Sequence, residues 1–144
     1  MLHIITVATT KLKARKSHII NNVNIREFDI AGNIVRGLTG EIDNYRNYLI
    51  NTDVDVIFFY AAQQWTFDAA WHVFERIEVP KILVPCGYSG FYLDAYSDYF
   101  EQLPYILTKM DKIIYHAENY RDINFAHKLG LTNTFIIPNG ASLE

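Results

Sequence analysis

The chain has 144 residues, of which 50% are hydrophobic and 20% charged, and its formal net charge is −3. This length fits one folded domain that buries roughly two-thirds of its unfolded surface, and the negative charge argues against nucleic acid as a partner, because neutralising phosphates requires a basic surface. The single cysteine excludes an internal disulfide, and neither a membrane span nor a signal peptide is recognisable, so we predict a cytoplasmic protein.

Short apolar runs with the length of strands recur along the chain. In chain order they are Leu2–Ala8, Ile25–Ile30, Val54–Tyr60, Lys81–Pro85, Lys112–His116 and Thr134–Ile137. The last four are almost continuously apolar, which is typical of parallel strands that are covered on both faces.

Amphipathic stretches separate the later runs. They predict helices over Gly40–Asn51, Thr66–Glu78, Tyr92–Met110 and Asn119–Leu129. Thr39 would cap the first helix, and Pro80 would end the second. Pro104 would bend or break the third, and Gly130 would follow the end of the fourth. This alternation predicts an α/β fold, a three-layer Rossmann-like domain with a mainly parallel sheet and right-handed crossovers.

The beginning of the chain is less regular. A basic, asparagine-rich loop without a clear helix separates the first two strand runs, and the first glycine is Gly32. Doubly wound domains usually open with a strand, a glycine-rich turn and a helix. Either this domain begins irregularly or its first strand–turn–helix unit is absent. The basic residues of the loop form a solvated surface or a contact for phosphate or an anionic membrane.

The loop after the third strand run offers polar and aromatic side chains. In a parallel sheet, ligands bind at the carboxyl ends of the strands, so such loops are the candidate sites. Gln63, Gln64 and Trp65 could hydrogen-bond to a polyhydroxylated ligand and stack on it. The alternative is that a glutamine caps the next helix while Trp65 packs into the core.

The loop after the fourth run contains Cys86-Gly87-Tyr88-Ser89-Gly90. Its glycines allow close approach of the backbone to a ligand, and its N–H groups could hold an anion. The serine spacing does not match a nucleophile elbow. Since no histidine lies near Cys86 in sequence, we predict a buried structural cysteine.

His116 follows the fifth run. It could contact a substrate hydroxyl or a phosphate, or it could be a hydrogen-bonded, partly buried side chain. The other histidines share no ligand spacing with it, so we predict no metal site. After the sixth run, Ile137–Gly140 forms a turn.

Taken together, several segments resemble a known family. They are NIVRGLTGEIDNYRNYL, DVIFFYAAQQWTFDA, VPCGYSGFY, KIIYHAENYRDINFAHKLGL and FIIPNGAS. Over about three-quarters of its length, from Asn33 to Ser142, the chain resembles the amino-terminal half of the glycosyltransferase group 1 family. The most specific part is the closing pattern, a helix ending K-L-G-L, a strand and then I-P-N-G, which in that family leads into a linker and a second domain.

The resemblance implies one half of a GT-B fold. Residues 1–140 would form the acceptor-side, Rossmann-like domain, without its first unit, and residues 141–144 would begin the interdomain linker or be a tag remnant. The full-length enzyme would transfer a hexosyl group from a nucleotide-sugar to a saccharide, lipid or other acceptor, with retention of the anomeric configuration. Its expected role is in polysaccharide biosynthesis.

The resemblance also implies a division of labour. A carboxyl-terminal domain would bind the nucleotide-sugar and supply the key acidic group, so this chain alone would bind no cofactor and would be inactive. Carried over by position, the acceptor-side candidates are Gln63, Gln64, Trp65, Gly87, Tyr88, Ser89 and His116.

Two other functions remain open from the sequence. One is a stand-alone flavodoxin-like module for a nucleotide or another small ligand, although a glycine-rich phosphate fingerprint is absent. The other is an interaction domain whose exposed tyrosines contact a partner. A cytoplasmic location is expected in each case, with peripheral membrane contact as a variant for the glycosyltransferase.

Overall fold

The computed structural model describes residues 4–140, so Leu2 and His3 of the first predicted strand lie outside the described part. The strands are β1 (Ile5–Thr10), β2 (Ile19–Ile20), β3 (Val23–Phe28), β4 (Ile30–Asn33), β5 (Gly37–Gly40), β6 (Ile57–Tyr60), β7 (Lys81–Val84), β8 (Lys112–Tyr115) and β9 (Thr134–Ile136). The helices are α1 (Ile42–Asn51), α2 (Trp65–Asp68), α3 (Ser97–Leu107) and α4 (Arg121–Lys128), with 3₁₀ helices at Trp71–Arg76 and Asp94–Tyr96.

The main sheet contains four parallel strands in the order β6-β7-β8-β9. Each strand is joined to the next by a helical segment, as right-handed βαβ units require. The predicted α/β, Rossmann-like class with a mainly parallel sheet is therefore confirmed.

The connecting helices pack on one face of this sheet, because the strands follow each other in chain order and every crossover has the same hand. On that face Phe59 is 2% exposed, and its ring centroid lies 5.9 Å from that of Phe67 and 5.3 Å from that of Phe74. On the opposite face, Phe58 is 54% exposed and Tyr60 61%. The sequence predicted covering on both faces, whereas these two side chains are open to solvent.

The first part of the chain forms two smaller sheets. β1 pairs in parallel with β3, β2 pairs antiparallel with β3, and β4 forms a hairpin with β5. Trp65 attaches this part to the main sheet, since its Nε1 donates to Thr10 Oγ1 at 2.8 Å. Its ring lies 5.0 Å from the Tyr45 ring and 6.4 Å from the Phe28 ring, in edge-to-face contacts.

The predicted cap of the first helix was wrong. Thr39 pairs with Ala31 inside the β4–β5 hairpin, and the helix begins later, at Ile42. The hairpin extends through Gly40, so Thr39 is still in a strand and its side chain does not cap the helix. Glu41 stands at the N-cap position, and its Oε2 accepts the N–H of Asp29 at 2.8 Å.

The ends of the other helices can be compared with the positions of Pro80, Pro104 and Gly130. The second predicted helix is divided into α2 and the 3₁₀ helix, which ends before Pro80. Pro104 lies inside α3, which continues to Leu107. Gly130 follows α4 with φ of 68°, which confirms its predicted position after the helix end. No helix among residues 4–140 is long and apolar enough to cross a membrane.

Candidate functional site

The carboxyl ends of β6, β7 and β8 lie side by side and bring three of the predicted loops together. The loop after β6 contacts the loop after β7, because Ser89 Oγ donates to Gln63 Oε1 at 3.2 Å. The loop after β8 reaches the end of β6, since the His116 and Tyr60 ring centroids are 6.4 Å apart. This edge of the sheet is the candidate functional site.

The backbone of two of these loops adopts left-handed conformations that side chains disfavour. The φ angles are 68° at Ala61, 65° at Gln63, 60° at Cys86 and 48° at Tyr88. Each such residue costs on the order of 1 kcal/mol, so it persists only where other contacts fix it. Concentration of these residues in two adjacent loops is typical of a site whose shape is held by its surroundings.

A buried hydrogen-bond network supplies those contacts. Gln63 is 7% exposed, and its Oε1 also accepts the N–H of Gly90 at 3.2 Å. Its own N–H donates to Tyr99 Oη at 3.0 Å, and its carbonyl accepts Asn33 Nδ2 at 3.2 Å. The Gln63 side chain therefore fastens the loop after β6 to the loop after β7, and its backbone fastens the same loop to α3 and to the β4–β5 hairpin.

Asp68 extends this network into the core. Its Oδ1 accepts the Tyr99 hydroxyl at 3.0 Å, and its Oδ2 accepts the N–H of Ile34 at 3.1 Å. Asp68 is only 1% exposed, and burial raises its pKa to about 6 although these hydrogen bonds act in the opposite direction. Loss of solvation therefore outweighs hydrogen bonding at this carboxyl group.

Gly87 is required by packing inside the protein. A Cβ built on Gly87 would lie 2.7 Å from Cε1 of Tyr120, and the φ of Gly87 is 91°. The N–H of Gly87 donates to Oδ2 of the buried Asp122 at 2.8 Å. The loop after β7 is thus held against α4, and Tyr120 occupies the space beside the glycine.

The accessible groups of the site are Gln64, Ser89, Cys86 and Tyr60, with His116 half-buried among them. The Ile137 carbonyl lies 3.0 Å from His116 Nδ1. Because a carbonyl only accepts, Nδ1 carries a proton, and in neutral imidazole Nε2 is then an acceptor. That Nε2 is shielded from solvent and has no hydrogen-bond partner among residues 4–140.

The seven predicted site residues divide by exposure. Gln64 and Ser89 are exposed and His116 is half-buried, whereas Gln63, Trp65, Gly87 and Tyr88 are buried. The four buried residues shape the edge, whereas Gln64, Ser89 and the partly exposed His116 could contact a ligand directly. Trp65 packs in the core, as the alternative interpretation had it, and no glutamine side chain caps α2.

The prediction of a buried Cys86 was wrong, because this side chain is exposed. Cys86 is the second residue after β7 and has a φ of 60°, and the next residue, Gly87, is held against α4 by its hydrogen bond to Asp122. Its thiol lies 3.5 Å from the Val84 carbonyl and beside Tyr60, and this neighbour raises the pKa of the Tyr60 hydroxyl.

Tyr60 is the accessible residue that the sequence reasoning missed. It was counted only as the end of an apolar strand run. Alternation along β6 could have identified it, since burial of Phe59 towards the helices places Tyr60 on the opposite face at the strand end.

Two clefts lie elsewhere on the molecule. One, of about 360 Å³, lies between β3 and α1, and one of about 310 Å³ lies between the 3₁₀ helix Trp71–Arg76 and α3. Neither is lined by the accessible residues of the candidate site. Within residues 4–140, no three histidine, cysteine or acidic side chains converge to hold a metal ion.

The fold and the site together define an α/β, Rossmann-like domain with a polar loop cluster at the carboxyl edge of its parallel sheet. Comparison with protein-family models gave no match, and no curated protein matches the sequence.

Proposed function

We propose that the chain is the acceptor-side domain of a nucleotide-sugar-dependent glycosyltransferase. The observation that carries the proposal is that Gln64, Ser89 and His116 lie in the loops that follow three consecutive parallel strands, β6, β7 and β8. Amide, hydroxyl and imidazole groups exchange hydrogen bonds with sugar hydroxyls, and Tyr60 offers an exposed ring beside them. The segment resemblance described above supports the same assignment.

In this proposal the domain positions an acceptor hydroxyl. The amide of Gln64 and the hydroxyl of Ser89 can both donate and accept, and the shielded His116 Nε2 becomes an acceptor for the ligand where binding opens the loop after β8. Rigid loops make such positioning effective, because holding the reacting groups together lowers the entropic part of the barrier. The Gln63 network provides this rigidity.

The remaining chemistry is assigned to a second domain. Sugar transfer passes through an oxocarbenium-like transition state while negative charge grows on the departing nucleotide phosphate. Stabilising that charge requires cationic or N–H donors aimed at the phosphate. The accessible side chains named for this edge are instead uncharged polar side chains and one histidine. We therefore expect the chain alone to bind acceptor without transferring sugar.

Titration of the isotope-labelled chain with neutral mono- and disaccharides, followed by NMR, tests the acceptor role. Amide shifts should centre on Gln64, Ser89 and His116, and Gln64→Ala should weaken binding. Gln102→Ala, which removes an exposed glutamine from α3, is the matched control and should leave binding unchanged. Shifts centred elsewhere, no shifts with any saccharide, or equal effects of both variants would overturn the proposal.

A second measurement tests the division of labour. The purified chain should neither hydrolyse a panel of nucleotide-sugars nor transfer from them to any acceptor that it binds. Turnover by the chain alone, lost on Gln64→Ala, would show that the donor site is also in this domain.

A further inference from the structure

A polar cleft between β3 and α1 lies apart from the candidate functional site. Its volume of about 360 Å³ is within the range of small-molecule sites, which runs from about 300 to 1,000 Å³. The side chains with polar groups that line this β3–α1 cleft are Arg26, Glu27, Glu41, Asn44, Asn47 and Tyr48.

Regular secondary structure places the lining residues opposite one another. Arg26 and Phe28 are two residues apart in β3, so alternation directs both side chains to the same side of the strand. On α1, Asn44, Asn47 and Tyr48 are separated by three or four residues, so they share one face of the helix. The walls of the cleft therefore belong to a strand and a helix and do not depend on a loop.

Two aromatic rings restrict the Arg26 side chain. Its guanidinium carbon lies 5.8 Å from the centroid of the Phe28 ring and 5.7 Å from that of the Tyr48 ring, within the range of cation–π contacts. Phe28 is itself fixed, since it is 3% exposed and its ring makes an edge-to-face contact with Tyr45 at 5.1 Å. Because an aromatic ring provides no oxygen acceptor, the N–H donors of the guanidinium remain open.

Arg26 is the charged lining residue without an ionic partner. Over residues 4–140 its guanidinium forms neither a salt bridge nor a hydrogen bond. Glu41 accepts the N–H of Asp29 at 2.8 Å and the Asn44 amide at 3.1 Å. These hydrogen bonds lower the pKa of Glu41, and the charges of Lys11 and Arg26 act in the same direction. Arg26 is thus near Glu41 without being paired with it.

The two carboxylates that line the cleft are each balanced by another cation. Glu27 is paired with Arg15, whose Nε lies 2.6 Å from its Oε1. Glu41 is under the influence of Lys11 as well as of Arg26. The positive charge of Arg26 is therefore left over, and it is suited to a ligand with one negative charge.

Two uncharged groups accompany the arginine. The side-chain amide of Asn47 and the hydroxyl of Tyr48 line the cleft, and neither makes a side-chain hydrogen bond in the described part of the chain. Each of these groups can both donate and accept. The open groups of the cleft are thus an oriented guanidinium, an amide and a phenol hydroxyl.

We propose that the β3–α1 cleft binds a small hydroxylated monocarboxylate. The planar guanidinium of Arg26 donates two parallel N–H bonds to the carboxylate, for which its geometry is suited. The hydroxyl groups of the ligand exchange hydrogen bonds with Asn47 and Tyr48. A phosphate dianion fits less well, because its second charge meets no free cation and is repelled by Glu27 and Glu41. The inference does not depend on the proposed function.

Titration of the isotope-labelled chain with gluconate, followed by NMR, tests this site. Sorbitol is the neutral polyol with the same carbon chain, and sorbitol 6-phosphate carries a phosphate in place of the carboxylate. Gluconate should cause saturable shifts of the Arg26 and Asn47 side-chain N–H signals. Sorbitol should cause none, and sorbitol 6-phosphate should bind more weakly than gluconate. Added salt should weaken gluconate binding, because the cleft is open to solvent.

Substitutions identify the arginine. Arg26→Gln should lower the affinity for gluconate by about tenfold or more, because a charge-assisted hydrogen-bonded pair is lost. Arg26 is exposed, so the variant should keep the amide spectrum of the folded chain. Arg26→Lys keeps the charge without the planar fork and should retain only part of the affinity. Arg76→Gln removes another exposed arginine, at the end of a 3₁₀ helix, and is the matched control that should bind gluconate normally.

Several results would overturn the inference. Equal shifts with gluconate and sorbitol would mean that the carboxylate is not recognised, and tighter binding of sorbitol 6-phosphate would assign the cleft to a phosphate group. The inference would also be wrong if gluconate caused no saturable shifts or shifts centred on Gln64 and Ser89. Equal losses of affinity in Arg26→Gln and Arg76→Gln would show a general effect of charge and not a site.

Discussion

Replacing Asp68 by asparagine should remove a pH dependence of folding. Burial raises the pKa of this carboxyl group from 3.8 to about 6. A raised folded-state pKa means that the native state binds the proton more tightly than the unfolded chain does. The group therefore stabilises the fold fully below its unfolded pKa, and this contribution is lost as the pH rises through the folded pKa.

The size of the effect follows from the shift. Raising a pKa from 3.8 to about 6 corresponds to roughly 3 kcal/mol, at about 1.4 kcal/mol per unit. Between pH 4 and 7 the native chain should thus lose roughly 3 kcal/mol of unfolding free energy from this group relative to Asp68→Asn. The variant also turns an amide N–H2 towards either the Tyr99 hydroxyl or the Ile34 N–H, which costs about 1–2 kcal/mol at every pH.

Urea unfolding of both proteins at several pH values between 4 and 7.5 measures the difference. Glu101→Gln removes an exposed carboxylate from α3 and is the control for the general effect of one charge. The difference between the native chain and Asp68→Asn should change with pH, in the direction of a native chain that becomes relatively less stable as the pH rises from about 4 to about 6, and it should level off above that. A constant difference, or a native chain that gains stability as the pH rises, would refute the reasoning.

Three further predictions concern single contacts. Gly87→Ala should lower the unfolding free energy by about 1–3 kcal/mol, since the new Cβ meets the Tyr120 ring and φ is positive; an unchanged urea midpoint would contradict this. Trp65→Phe and Thr10→Val should show a coupling of about 0.5–1.5 kcal/mol in a double-mutant cycle, and additive effects would mean that the hydrogen bond contributes nothing. Cys86 should react with a thiol reagent in the folded chain, and reaction only after unfolding would show that it is covered.

Local pattern in the sequence was sufficient to predict the main sheet. The runs that became β6 to β9 are short and apolar, and the segments between them carry apolar residues at helical spacing. Gly130 marked the end of α4 because a left-handed residue there strongly favours glycine. Such features depend on neighbours in the chain, and the sequence contains that information.

Features set by distant contacts were predicted less well. Thr39 is a good helix cap by type, but its pairing with Ala31 across the hairpin keeps it in a strand. Cys86 belongs to a residue type that is usually buried, yet the hydrogen bond from Gly87 to Asp122 and the Tyr120 ring determine the path of the loop around it. Asp122 and Tyr120 are more than thirty residues from Gly87 along the chain, and the pairing of Thr39 with Ala31 depends on the hairpin, so neither propensity nor periodicity indicates these partners.

The division of the site into supporting and accessible residues was not predictable for the same reason. Gln63 and Gln64 are adjacent and identical in type, but Gln63 is buried in the network and Gln64 is exposed. The difference arises from the positive φ of Gln63, which directs its side chain towards Ser89 and Gly90. A sequence pattern identifies such a loop as a candidate, and only the tertiary contacts assign roles within it.

Tyr60 shows how a strand, rather than a loop, can supply an accessible residue of the candidate site. Its side chain lies beside Cys86, and its ring is 6.4 Å from that of His116. Because Phe59 packs against Phe67 and Phe74 on the helical face, alternation along β6 places Tyr60 on the opposite face, which is open to solvent. The position of Tyr60 in the strand, and not a loop motif, therefore makes it accessible at this edge.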